Sequence, residues 1–103
     1  MSFGQVVSEA RKKAGLSQKE LAAKIKKEDG SSISPQYLND IEHDRRTPSS
    51  DHLIGEFSRV LEINEDLLHY EVGQLPADAR GRDVNPEKVK SAYKAFRREL
   101  KGK

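Results

Sequence analysis

The sequence predicts an all-α fold: five short helices packed into one small domain, followed by a sixth, amphipathic helix at the C-terminus. Three observations carry this expectation. Apolar residues recur three and four positions apart in short segments, the spacing of one helical face. Most of these segments open on Ser or Asn, whose side chains accept from the free amides of a first helical turn. Hydrophobic residues make up only 34% of the chain against 35% charged, so a core must be assembled from the faces of small amphipathic elements.

The first helix is expected over residues 3–13, where Phe3, Val6, Val7, Ala10 and Ala14 share a face and Glu9, Arg11, Lys12 and Lys13 lie on others. Gly15 ends it as a residue able to take positive φ. Ser17 to Glu20 reads as a capping box, and a second helix runs from Gln18 to about Lys26 with Leu21, Ala22 and Ile25 inward. Lys27 to Ile33 contains Asp29-Gly30 and two serines, turn chemistry without helical periodicity. Ser34-Pro35 starts a third helix to about Glu42, burying Leu38 and Ile41 and exposing Gln36, Tyr37, Asn39 and Asp40. After Pro48, Ser49 or Ser50 caps a fourth helix whose stripe of Leu53, Ile54, Phe57, Val60 and Leu61 is the largest apolar contribution. Asn64 caps a fifth, Glu65 to about Glu71, with Leu67 and Leu68 inward and two acids in its first turn.

Five helices complete a domain over residues 1–72. Residues 73–85 carry two glycines and a proline and read as a linker with weak helical tendency in its middle. Residues 86–103 form the last helix, opened by Asn85-Pro86-Glu87, with Val89, Tyr93, Phe96 and Leu100 on one stripe.

The net charge of +2 says little, but its distribution is uneven. Residues 1–48 hold nine Lys/Arg against seven Asp/Glu, residues 49–79 one against seven, and residues 80–103 nine against three. The chain is basic, then acidic, then basic. The absence of cysteine excludes a disulfide framework, a cysteine nucleophile and a thiolate zinc site. No stretch of about 18 apolar residues and no secretory h-region is present, so a cytoplasmic protein without membrane contact is expected.

Two short helices joined by a turn can lay the second in the DNA major groove while the first braces against phosphates. Helices two and three have that form. GLSQKELAAKI, SPQYLNDIEHDRRTPS and LIGEFSRVLEINEDLL together resemble the Cro/repressor-type (Xre family) helix-turn-helix domain, over residues 3 to about 70. The likeness joins Gln18 at the start of helix two, Leu21-Ala22 at its centre, Leu38, Ile41 and Glu42 in helix three, and a basic loop ending in Pro48-Ser49. It implies a five-helix lambda-repressor-like domain with an added C-terminal helix. It implies also a sequence-specific, bacterial or phage-encoded regulator of transcription, most simply a repressor that binds a palindromic operator as a dimer.

The same resemblance assigns roles. Glu42, closing the recognition helix, pairs with Arg11 of helix one. Ser17 and Gln18 contact phosphate at the start of helix two, where amides and the helix dipole favour an anion. Arg45, Arg46 and Thr47 grip phosphate after helix three. Gln36, Tyr37, Asn39 and Asp40 read bases: Gln or Asn can bond adenine bidentately, and Asp can accept from the cytosine amino group. Tyr37 can instead pack on a thymine methyl or bond a phosphate. Without the surrounding pattern these four would be an ordinary solvated face.

The turn departs from the pattern. A turn of about four residues is usual, and Lys26 to Ile33 adds roughly six more. That insertion is either a solvated loop or a source of phosphate contacts through Lys26 and Lys27. His43 and Asp44 occupy a turn where the family often has Gly.

Other chemistries find little support. His43, His52 and His69 have spacings that match no compact zinc arrangement, so surface or locally bonded histidines are expected and no metal or cofactor. Glu62, Glu65, Asp66 and Glu71 lie around helix ends, with no nucleophile, base and oxyanion donors beside them. No enzyme is expected. The stripe of Val89, Tyr93, Phe96 and Leu100 can pack on the body, pair with a second subunit or carry a basic nucleic-acid patch; the need to read two half-sites favours a homodimer. A different class of function is an antitoxin or anti-factor that inhibits a partner protein, held by the segment Gln74-Leu75-Pro76 and the basic tail, with DNA binding for autoregulation. A separate effector-sensing domain would need more chain than follows residue 72.

Overall fold

The computed structural model describes residues 1–48, 50–80 and 85–102. Its helices are α1 (Phe3–Lys13), α2 (Gln18–Lys24), α3 (Pro35–Glu42), α4 (Asp51–Leu61), α5 (Glu65–Glu71) and α6 (Pro86–Leu100), with one 3-10 turn at Ala77–Ala79. No helix among the described residues is long and apolar enough to cross a membrane.

Local chemistry sets most of these bounds. The hydroxyls of Ser2, Ser17, Ser34 and Ser50 and the amide oxygens of Asn64 and Asn85 each accept from a first-turn N–H. At α1 and α2 the bond is reciprocated: Ser2 N donates to Gln5 Oε1 and Ser17 N donates to Glu20 Oε1. Ser50 is the cap of α4; Ser49, the other candidate, lies outside the described residues, as do residues 81–84 of the expected linker and Lys103.

α1, α2 and α3 pack together, and α4 closes the layer through α1 while carrying α5. The core is Phe3 and Val7 of α1, Leu21, Ala22 and Ile25, Ile33, Leu38 and Ile41 of α3, Leu53, Ile54 and Phe57 of α4, and Leu68 of α5. Phe3 meets Phe57 edge to face with centroids 6.0 Å apart.

Three details differ from the sequence expectation. α2 stops at Lys24, because Ile25 turns extended and Lys26 pairs with Ser32 as an antiparallel bridge. The amide of Ile33 donates to Ile25 O at 3.0 Å, so the last helical turn gives way to a pairing that buries both isoleucines. Ala14 falls outside the α1 stripe, exposed as its C-cap. Leu67 is 42% exposed while Leu68 is fully buried, since neighbours on a helix point about 100° apart and this short helix packs through Leu68 and His69. His69 is buried, and of the two expected kinds of histidine it is the locally bonded one, its Nε2 3.4 Å from Glu65 Oε2.

α1 approaches the end of α3 very closely. A Cβ on Gly4 would lie 2.5 Å from the carbonyl oxygens of both Ile41 and Glu42. Asp44 then turns back with φ of 60° and caps α1 from outside, its carboxylate accepting from Gly4 N at 3.0 Å and Ser2 Oγ at 2.6 Å. A short polar side chain tolerates that left-handed backbone, so Asp can stand at this turn.

α6 stands apart. It contains no buried residue and meets the body where Phe96 packs on Tyr70, centroids 6.0 Å apart. The radius of gyration of 15.5 Å exceeds the roughly 13 Å of a compact chain this long, as a protruding helix requires.

Candidate nucleic-acid interface

The position of α3 is fixed by a polar network on its inner edge. Arg11 Nε and Nη2 donate to the two Glu42 carboxylate oxygens at 2.6 and 3.0 Å, and Arg11 Nη1 donates to Leu16 O at 2.9 Å. Gln18 Nε2 bridges α2 to α3, donating to Glu42 Oε1 at 3.0 Å and Asn39 Oδ1 at 3.1 Å. The paired side chains retain only 12% and 3% of their exposure. Burial pushes the Glu42 carboxyl up, but the bonds from Arg11 and Gln18 and the charges of Arg11 and Lys12 outweigh it and hold Glu42 below the usual carboxylate range. The result is a hydrogen-bonded α1, α2 and α3 unit.

A second cluster lies on the outer face. Asp40 Oδ1 accepts from Gln36 Nε2 at 3.1 Å and from Arg45 Nε at 3.1 Å, while Arg46 Nε lies 3.9 Å from Oδ2. The amides of Arg45 and Arg46 both donate to Asp40 O, which folds the basic loop back on the end of α3. The Arg46 guanidinium sits 5.7 Å above the Tyr37 ring. Arg45, Arg46 and Thr47 remain exposed.

The residues singled out from sequence therefore divide. Gln36 is exposed and Tyr37 half-buried, both on the outer, N-terminal half of α3. Asn39 and Asp40 are half-buried and already bonded within the protein. Both amide hydrogens of Gln18 point at α3, and the Ser17 hydroxyl accepts from Glu20 N at 3.0 Å. Val89, Tyr93, Phe96 and Leu100 are far from this face in the chain and 37% to 60% exposed.

The inserted loop is an ordered hairpin. Lys27 N donates to Ser31 O at 2.7 Å, Asp29 Oδ1 accepts from Ser31 N and Oγ, and Gly30 supplies φ of 90°. α4 anchors it: Lys26 N donates to Glu56 Oε1 at 3.0 Å, and His52 Nε2 lies 2.9 Å from Lys26 O. That amide, with Arg59, holds the Glu56 carboxyl below its ordinary range. No sequence signal marks Glu56, His52 or Asp44 for these roles, because their partners lie 26 to 42 residues away.

Other candidates have local roles. His43 Nδ1 lies 2.9 Å from Asn39 O, and Glu62 ends α4 in a left-handed conformation. Among the described residues no group of three His, Asp or Glu side chains could hold a metal ion.

A helix-turn-helix family model matches residues 7–68, well over half of the chain, and the chain belongs to that family, of the Xre/Cro type. Among solved structures, a chain of a SinR protein/SinI protein complex is similar, with a TM-score of 0.53 and 26% identity, covering 91% of this chain and 78% of that one. No curated protein matches. With α3 held outward by its buried network, this chain is a DNA-binding transcriptional regulator.

Proposed function

We propose that the protein represses transcription by occupying a palindromic operator as a dimer. The observation that carries this is the Arg11, Gln18 and Glu42 network, which holds α3 so that exposed Gln36 and half-buried Tyr37 lie beside the exposed Arg45, Arg46 and Thr47. Gln36 and Tyr37 then meet base edges first. Asn39 and Asp40 join them by exchanging internal bonds for bonds to bases, while Arg45, Arg46, Thr47 and Ser17 hold phosphates and Gln18 orients from behind. Residues 1–72 act as the reading domain, 73–85 as the linker and 86–103 as the dimerising helix of a cytoplasmic, bacterial or phage-encoded protein that is not an enzyme.

Selection from a random duplex pool tests the reading. Enrichment of two inverted half-sites about 10 base pairs apart is expected, the spacing that a two-fold dimer requires on one face of B-DNA. Recovery of no enriched sequence would refute it. A second reading, inhibition of a partner protein, draws support from the similar SinR chain being seen in complex with a SinI protein. In that case the exposed α6 stripe holds the partner, and a second protein co-purifies in equal amount.

A further inference from the structure

The hairpin after α2 presents its two lysines differently. Lys26 is occupied: its Nζ donates to Ala23 O and Ser32 Oγ, both at 2.9 Å. Lys27 makes no side-chain hydrogen bond or ion pair among the described residues, and the nearby Asp29 carboxylate is bonded to Ser31. Lys27 instead lines an open cleft of about 500 Å³ with Ser34, Tyr37, Arg46 and Thr47. No described carboxylate lines this cleft. Two basic residues and the hydroxyl-bearing ones therefore line one space at the start of α3, and the anchors from Glu56 and His52 hold the lysine-bearing edge in place.

The geometry points to a backbone-phosphate site in this cleft, in which Lys27 and Arg46 grip one phosphate of the strand bordering the groove that α3 enters. This rests on the reading of α3 as the recognition helix. The chemistry selects a phosphodiester: a compact anion matches the ammonium and guanidinium pair, and the open cleft admits a continuous strand rather than enclosing a small ligand. The insertion thereby extends the phosphate footprint to the N-terminal side of α3. Arg46 reaches it by leaving its 3.9 Å approach to Asp40.

Salt-dependent binding of full-length protein to the duplex recovered by selection tests this, or to a random duplex if none is enriched. Lys27→Ala should reduce the slope of log K against log salt by about 0.9, so its affinity deficit narrows about three-fold between roughly 50 and 200 mM salt. Lys27→Arg should keep the wild-type slope. The thermal midpoint of both variants should match wild type, since the Lys27 side chain makes no described hydrogen bond and its charge acts only on the exposed Asp29 carboxylate. Lys27→Ala combined with Arg46→Ala should lose less affinity than the product of the single losses, because the two share one phosphate. An unchanged slope for Lys27→Ala, or multiplicative losses, overturns the site while leaving the helix-turn-helix reading intact. Wild-type protein that binds no duplex overturns both.

Discussion

Glu42 shows how one carboxylate can be structural within a binding surface. It accepts from both Arg11 and Gln18 and is almost wholly enclosed. Glu42→Ala would leave the Arg11 guanidinium buried without its counter-charge, so unfolding free energy should drop by about 3 kcal/mol in chemical denaturation. The pH dependence follows in sign. The folded pKa of Glu42 is depressed, so its contribution is complete above the unfolded value, about 4.3, and is lost as pH falls through the lower folded value. Glu42→Gln should therefore flatten the loss of stability between about pH 5 and pH 3 relative to wild type. A parallel loss in both proteins would show that this pair does not set acid sensitivity. Gly4 makes the opposite kind of contribution, through absence of a side chain. Gly4→Ala forces a methyl onto two backbone oxygens that cannot swing aside, and a destabilisation of about 1 to 3 kcal/mol is expected from the same melts. The Arg11 and Glu42 positions could be read from the chain because they sit within a familiar pattern. Gly4 and Asp44 could not, since their contact joins residues 40 apart and each alone resembles ordinary turn or helix composition.

At the scale of elements, legibility follows the range of the determining forces. α1, α3 and α5 end where their caps and spacing predict, because capping bonds are settled within a few residues. α2 is shorter than its spacing predicts, because the competing interaction is the burial of Ile33 beside Ile25 and the anchoring of Lys26 on α4. Asp29-Gly30 announces the turn but says nothing of what the hairpin rests on. Glu56 decides that, from the middle of a helix where nothing in the sequence sets it apart as an anchor. Glu56→Ala removes the acceptor of the Lys26 amide and should cost about 1.5 to 3 kcal/mol, the range for a hydrogen bond to a charged group. Hydrogen exchange gives the sharper reading: the Lys26 amide should lose protection while the α1 amides keep theirs. Retained protection at Lys26 would mean that His52 and the isoleucine pair suffice to hold the hairpin.

For the whole molecule, the governing relation is between the compact body and α6. The body is acidic along residues 49–79 and the final segment strongly basic, and one described ion pair, Arg80 Nη2 to Asp51 Oδ1 at 2.6 Å, ties the two regions within a chain. Exposed ion pairs of this kind contribute little, so they cannot by themselves fix a helix in place. The apolar stripe is a stronger determinant. Four large side chains on α6 remain between 37% and 60% exposed, with Leu67, Tyr70 and Leu75 also exposed on the adjoining part of the body. Exposed apolar side chains in such number are unfavourable in water, and a second copy packed on α6 would relieve them. Two copies joined there would present two α3 helices, and linking two weak half-site contacts raises affinity without any new DNA contact. Phe96→Lys tests this at a residue whose only described ring partner is Tyr70. Light scattering should give a dimer mass for wild type and a monomer mass for the variant, whose helical content should be nearly unchanged because α6 has no buried residue and loses only the contact of Phe96 with Tyr70. Binding of the variant to a full palindrome should weaken toward that of a single half-site, while wild type retains a large difference between the two. A monomeric wild type, or a dimeric variant with undiminished preference for the palindrome, would place the dimer contact elsewhere or remove it.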